Sequence, residues 1–243
     1  MKTAALERAI ALTPREITVR LERRARRAGV PISSGLACGL AAYLELLARW
    51  NQKINLTSLP LAEPTDETFD RLIIEPLVAS RHLRASDCAV IDVGSGGGSP
   101  AIPMKMAAPA ISLRMVESKT RKAAFLREAV RQLNLERVEV ETARFEELLA
   151  RPQMHEAYDV ATLRAVRIEP RTLNTVQAFL KIQGRIFLFR ACGSGSNLLQ
   201  TVPPLRWEAT HPLAESGGQL LVLRRQNFQS PGSPISNPPS RQR

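Results

Sequence analysis

Only three cysteines and three histidines occur among the 243 residues. Cys38, Cys88 and Cys192 lie far apart in no Cys-x-x-Cys pair, and His82, His155 and His211 are equally scattered. That spacing argues against a disulfide framework and offers no metal site. Also missing is any apolar run of roughly 18 residues, the length that marks a bilayer-spanning helix. The start, Met1-Lys2-Thr3-Ala4, leads into charge rather than into the apolar core of a signal peptide, so the expectation is a cytoplasmic protein with no membrane partner. Acid is in deficit as well: 23 Asp and Glu face 34 Lys and Arg, for a formal charge of +11. A surface this basic attracts polyanions by counterion release, which makes nucleic acid the expected partner.

Much of the excess sits at the ends. Residues 1–30 carry eight Lys and Arg (Lys2, Arg8, Arg15, Arg20, Arg23, Arg24, Arg26, Arg27) against Glu7, Glu16 and Glu22. From Arg224 onward there are four arginines and no acid.

What is present in strength is a glycine-rich loop. Val90-Ile91-Asp92-Val93-Gly94-Ser95-Gly96-Gly97-Gly98-Ser99-Pro100 runs from an apolar strand through an acid into glycines at 94, 96 and 98, the pattern of a nucleotide cradle between strand and helix. Glycine admits positive φ and lets a ligand approach the backbone, and Pro100 suits the first turn of a helix. A dinucleotide loop would place its third glycine where Ser99 stands. The next strand, Ile111–Val116, ends at Glu117, about 20 residues past the loop, where an acid can hold a ribose diol.

The remaining pattern organises around that loop. Thr13-Pro14-Arg15-Glu16 is a capping box, predicting a helix from Pro14 to about Ala28 with arginines 20, 23, 24 and 27 opposite Ile17, Leu21, Ala25 and Ala28. Leu36, Leu40, Tyr43, Leu44, Leu47 and Trp50 form a helical core stripe after Ser33 or Ser34. A third helix opens at Thr65-Asp66-Glu67, with Pro76 expected to kink or break it. Strands and helices then alternate: Ala89–Val93, helix 100–108, Ile111–Val116, helix 119–133, Val138–Thr142, a short helix 145–150, Tyr158–Leu163, helix 169–180 and Arg185–Arg190. Such alternation specifies a parallel sheet covered on both faces. Strands near Leu205–Ala209 and Gln219–Arg224 follow, and the Pro- and Ser-rich tail from Gln226 is expected to be disordered.

The loop spacing with Asp92 resembles motif I of S-adenosylmethionine-dependent methyltransferases. Trp50-Asn51-Gln52-Lys53-Ile54-Asn55-Leu56-Thr57 resembles the Trp-Asn-x-x-x-Asn-Leu-Thr signature of the small-subunit ribosomal RNA guanine-N7 methyltransferases, the glucose-inhibited division protein B family. Glu117-Ser118 with Lys122 and Phe125-Leu126, Arg144-Phe145-Glu146-Glu147 and Arg164-Ala165 complete the likeness in order, over roughly residues 36–225. The resemblance implies a Rossmann-like class I fold, a seven-stranded mostly parallel sheet with an N-terminal helical extension. It implies a basic helical region at 1–64, a methyltransferase domain at 65–225 and a tail at 226–243.

Carried over by position, Gly94, Gly96, Gly98 and Ser99 are expected at the methionine part of the cofactor S-adenosylmethionine, and Glu117 at its ribose. Phe145 and Glu146 are expected at the adenine, Arg164 beside the reacting centre, and Arg144 and Arg190 on RNA. The implied substrate is 16S ribosomal RNA or the small subunit, and the chain is expected to act as a monomer. It departs from the family pattern where Arg-His-x-x-Asp-Ser reads Arg71-Leu72-Ile73-Ile74-Glu75-Pro76. It departs again where the loop's Pro-Gly reads Pro100-Ala101 and where lysine-glycine reads Arg190-Ala191-Cys192-Gly193. These departures leave a second reading, a cofactor- and RNA-binding relative with little or changed activity.

The chemistry asks little of side chains. Guanine N7 has an in-plane lone pair and no proton, so transfer there needs positioning and no catalytic base. An exocyclic-amine methylase would want Asn/Asp-Pro-Pro-aromatic after the fourth strand, where this chain has Thr162-Leu163-Arg164-Ala165, and a cytosine-C5 enzyme would need an activated cysteine.

Overall fold

The structure, a computed structural model, describes residues 9–166, 168–191 and 202–227. Cys192 and Gly193, and the tail beyond Phe228 expected to be disordered, lie outside the described residues.

Helix α1 (Pro14–Arg27) begins where the capping box closes: Thr13 Oγ1 accepts the Glu16 N–H at 3.2 Å and the Glu16 carboxylate accepts the Thr13 N–H at 2.7 Å. It ends in a Schellman turn, the Gly29 N–H on the Arg26 carbonyl and the Val30 N–H on that of Ala25, with Gly29 at φ +71°. Its arginines do not share one face. Arg24 follows Ile17 by seven and Leu21 by three, which puts it on the buried side, where its Nε and Nη2 bond both oxygens of Asp70 at 2.6 and 2.7 Å. Arg20 bonds Asp66 and lies over the Phe69 ring at 4.8 Å. The expected basic face of 20, 23, 24 and 27 is corrected to Arg15, Arg23, Arg26 and Arg27, all exposed.

Helix α2 (Ser34–Asn51), capped by Ser33, buries Leu40, Tyr43, Leu44 and Leu47 as its stripe requires, with Trp50 edge-on to Phe125 at 5.8 Å. Thr65 caps the next helix, which runs as α3 (Asp66–Phe69), a π-helical turn (Asp70–Ile74) and α4 (Glu75–Ser80). Pro76 therefore neither breaks nor ends it. The Glu75 N–H reaches back five residues to the Asp70 carbonyl, and Pro76 has no N–H to give. The carbonyls of Arg71 and Leu72 thus lose their α-helical donors.

Five parallel strands follow: β1 (Ala89–Val93), β2 (Ser112–Val116), β3 (Val138–Glu141), β4 (Tyr158–Arg164) and β5 (Leu180–Ala191). Helices α5 (Ala101–Ala107), α6 (Thr120–Gln132) and α7 (Pro170–Phe179) connect them. The hairpin β6 (Leu205–Pro212) and β7 (Gly218–Arg225) closes a seven-stranded sheet of order β3-β2-β1-β4-β5-β7-β6, with β7 antiparallel to both neighbours. Three expectations shift. Strand β5 starts directly after α7 at Leu180, opposite Tyr158, and a bulge with Gln183 at φ +67° shifts the register before Arg185 pairs with Val160. The segment Phe145–Ala150 is a 3-10 helix, and Pro100 precedes α5 instead of standing inside its first turn.

Alternate residues of β1 serve opposite cores, as the pleat demands. Val90 joins Phe69, Phe125 and Leu126 beneath α1, α2 and α6, while Ile91 and Val93 join Leu173, Val176 and Phe179 of α7. The N-terminal helices share the first of these cores with the sheet. Strand order reverses between β1 and β4, so the carboxyl ends of these two strands open a crevice.

Candidate active site

The loop after β1 turns three times through the left-handed region, with Gly94, Gly96 and Gly98 at φ +74°, +51° and +85°. A Cβ on Gly94 would stand 2.8 Å from Val166 Cγ2, and one on Gly98 2.5 Å from Ile102, whereas one on Gly96 would meet only the Gly94 carbonyl at an ordinary 3.8 Å. The loop is clamped from three sides. Glu117, buried at the end of β2, accepts the Gly96 N–H at 2.9 Å on one oxygen and the Lys119 N–H at 2.8 Å on the other. The Tyr43 hydroxyl, its pKa pushed up by burial, donates to the Gly97 carbonyl at 2.6 Å. Ser99 Oγ donates to the Leu72 carbonyl at 2.9 Å, the carbonyl whose α-helical donor position is occupied by Pro76.

Below the loop Asp92 is fully buried, accepting from Thr162 Oγ1 at 2.5 Å on Oδ1, while Oδ2 has no hydrogen-bond partner among the described residues. Burial raises its pKa to about 6. Arg164, the last residue of β4, meets Glu75 Oε2 at 2.5 Å, donates to the Arg71 carbonyl, and lies over the Phe189 ring at 4.4 Å. Burial lowers its pKa to about 10, which leaves it a cation at neutral pH. Ala165 takes φ +55°, a conformation that costs a residue with a side chain about 1–2 kcal/mol and that recurs where loops are shaped for function.

Above them a cleft of about 470 Å³ reaches from Gly94–Gly97, Ser99, Glu117 and Arg164 to Lys122, Arg71 and the Leu56–Leu59 segment. That segment is folded over the loop by Asn51, whose Oδ1 accepts the N–H groups of Leu56 and Thr57 at 2.8 and 3.0 Å. The first asparagine of the Trp50–Thr57 signature, Asn51, is therefore a loop clasp.

Of the residues singled out from sequence, Gly94, Gly96, Ser99, Glu117 and Arg164 line this cleft, and Gly98 shapes its floor against Ile102. Phe145 is half-buried and Glu146 exposed, just past β3 and outside the lining. Arg144 is exposed beside them, its N–H 3.3 Å from Glu147, and Arg190 is half-buried at the end of β5 opposite Gln219. Reasoning from sequence missed Tyr43 as a clamp and Glu75 as the partner of Arg164. Glu75 stood out only as a departure from the family pattern. Among the described residues no three His, Cys, Asp or Glu side chains cluster as a metal site would require, and no helix is long and apolar enough to cross a membrane.

A mostly parallel sheet in this order, with a glycine loop after β1 and an acid ending β2, defines the class of S-adenosylmethionine-dependent methyltransferases. The fold is similar to that of a SAM-dependent methyltransferase from Aquifex aeolicus, with TM-score 0.50 and 14% identity over 63% of this chain and 90% of that one. The family described as rRNA small subunit methyltransferase G matches residues 38–203, and the chain belongs to it. Curated relatives of that name include one from Syntrophotalea carbinolica, 27% identical over 85% of this chain and 97% of that protein. Another, from Acetivibrio thermocellus, is 33% identical over 59% of this chain and 58% of that protein.

Proposed function

We propose that this chain transfers the methyl group of S-adenosylmethionine to N7 of a guanosine in 16S ribosomal RNA, acting as a cytoplasmic monomer. The observation that carries the reading is the cleft at the carboxyl ends of β1, β2 and β4 in a chain of this family. In this reading the loop with Gly94, Gly96, Gly98 and Ser99 holds the methionine portion of the cofactor and Glu117 its ribose. Phe145 and Glu146 border the adenine.

The residues present suit such a guest. Each Glu117 oxygen accepts one backbone N–H and keeps a lone pair for a ribose hydroxyl. The cleft volume of about 470 Å³ falls in the range of small-molecule sites. The cofactor, when bound, supplies an electrophilic methyl group. The chain's part is then to bind, orient and exclude water, because N7 offers its lone pair without losing a proton. Arg164 is held by Glu75, the Arg71 carbonyl and the Phe189 ring, so it presents a fixed positive edge to the cleft in which the cofactor would be held. Arg71 and Lys122 at the mouth, with Arg144 and Arg190 further out, suit RNA phosphates.

The test is mapping of N7-methylguanosine in 16S RNA from cells with and without the gene, by chemical cleavage and primer extension. Loss of one signal, restored by the intact gene but not by Gly94→Asp, supports the proposal. An unchanged pattern, with cofactor bound but no turnover on any RNA, makes the chain a binding relative instead.

A further inference from the structure

The exposed arginines of α1 are arranged as a track. At 100° per residue, Arg15, Val19, Arg23 and Arg26 fall within one narrow sector opposite Ile17, Leu21 and Ala25, with Arg27 at its border. Arg15 to Arg26 spans roughly 16 Å of helix axis. Arg15, Arg23, Arg26 and Arg27 are exposed, and among the described residues no carboxylate forms an ion pair with any of them. The nearby acids are already engaged: Asp66 and Asp70 hold Arg20 and Arg24, and Glu16 closes the Thr13 cap. Two acids border the track, Glu22 on one side and the cap residue Glu16 between Arg23 and Arg27, which leaves four arginines against two carboxylates. Between its arginines lies a shallow notch of about 330 Å³ lined by Leu12, Val19, Arg15, Arg20, Arg23 and the cap residue Glu16, and Val19 is 57% exposed.

The helix is also fixed with respect to the cleft. Arg20 bonds the Pro64 carbonyl at 3.0 Å as well as Asp66, and the Ala11 N–H bonds the Ala62 carbonyl at 2.8 Å. Glu67, one residue past Asp66 on α3, lines the cleft mouth. One flank of α1 thus grips the wall of the active site while the opposite flank offers positive charge to solvent.

We infer that the outer face of α1 is a second RNA-docking surface, a rigid arginine track that holds the phosphate backbone of the substrate at a distance from the cleft and adds to RNA affinity without touching the reacting nucleotide. The inference rests on the reading of ribosomal RNA as substrate. An anionic polymer fits better than an acidic protein or a membrane surface. The charges are strung along a line, as the phosphates of a nucleic-acid strand are. The single apolar side chain among them is too small to insert as an anchor.

The experiment compares the full chain with R15Q/R23Q/R26Q/R27Q and with the same four positions changed to lysine, using a 16S RNA transcript at several salt concentrations. The glutamine variant should flatten the slope of log affinity against log salt by about 3, from four contacts at roughly 0.7–0.9 each, and raise KM for RNA about tenfold or more. Cofactor affinity and kcat at saturating RNA should stay unchanged, and the lysine variant should bind nearly as the parent does. Equal salt slopes and KM for parent and glutamine variant, with the parent methylating RNA, would overturn the track. So would a lysine variant as impaired as the glutamine one, since the loss would then not be one of charge. Unchanged RNA binding with lost adsorption to anionic phospholipid vesicles would assign the face to a membrane. A parent that methylates no RNA would instead remove the functional reading beneath it.

Discussion

Glu75 and Arg164 are 89 residues apart in the chain and 2.5 Å apart in space, both nearly buried, with side-chain exposures of 5% and 12%. The carboxylate is shared: its other oxygen accepts the Ser216 hydroxyl at 2.8 Å, tying the π-helical segment and the cleft to the β6–β7 turn. Gly218 beside it has no room for a Cβ, because that carbon would overlap the same carboxylate. Arg164 is thus fixed by a residue that the family pattern carries as aspartate and by a carbonyl that the Glu75-Pro76 pair sets free.

Removing one partner of such a pair strands a buried charge. Glu75→Ala should destabilise the fold by about 3–5 kcal/mol, read by urea unfolding at neutral pH. Glu75→Gln keeps the shape and a hydrogen bond but not the charge, so it should cost less and still lower kcat with little change in cofactor affinity. Wild-type stability in Glu75→Ala would show the pair to be energetically idle.

Gly94 and Gly96 separate two causes of glycine preference. Gly94→Ala suffers both positive φ and a 2.8 Å clash with Val166, which must move the loop or the β4–α7 turn. Gly96→Ala meets only the conformational cost, about 1–2 kcal/mol. Cofactor titration by calorimetry should therefore find affinity lost at least about tenfold in the first variant and by less in the second, a tenfold loss being about 1.4 kcal/mol. The reverse order would mean that the cradle shape is not set by the Val166 contact.

Asn51→Ala removes the acceptor of two backbone N–H groups, those of Leu56 and Thr57. Two half-buried donors left unpaired should cost about 1–3 kcal/mol, and the freed segment should no longer wall the cleft. Limited proteolysis should cut near residues 52–59 faster than in the parent, and cofactor affinity should fall. Unchanged cleavage and affinity would leave the clasp without a role.

What could be read from the sequence followed from short-range rules. The Thr13–Glu16 cap, the Gly29 stop and the alternation of apolar strands with amphipathic helices are each decided within a few residues, and those elements stand close to their expected bounds. Gly94 to Glu117 was legible because loop and acid are joined by a single βα unit. Arg24 was misassigned to a solvent face because charge alone suggested exposure, although its spacing from Ile17 and Leu21 points inward. Its acid, Asp70, comes 46 residues later and no local pattern announces the pairing. Pro76 predicts a kink or a break as long as the helix is taken as α throughout, and the π turn before it carries the chain through without a break. The Glu75–Arg164 contact exists only once β4 lies beside β1 and the helix packs across their ends.

Asp92 turns one buried carboxylate into a pH dependence with a definite sign. Its pKa is raised to about 6 by burial, above the value near 4 expected in the unfolded chain. The folded state therefore binds the proton more tightly than the unfolded one. Stability from this group is fully present below about pH 4, is lost as pH rises toward 6, and stays constant above that. The span of about two pH units corresponds to a few kcal/mol, roughly 1.4 kcal/mol per unit. Asp92→Asn cannot ionise and can still accept from Thr162, so its stability relative to the parent should climb between pH 4 and 6 and then level off. Urea unfolding of both proteins at four or five pH values measures that difference directly. A difference that stays flat across the range would mean that Asp92 titrates like an exposed carboxylate, and that its unpartnered oxygen is solvated beneath the glycine loop.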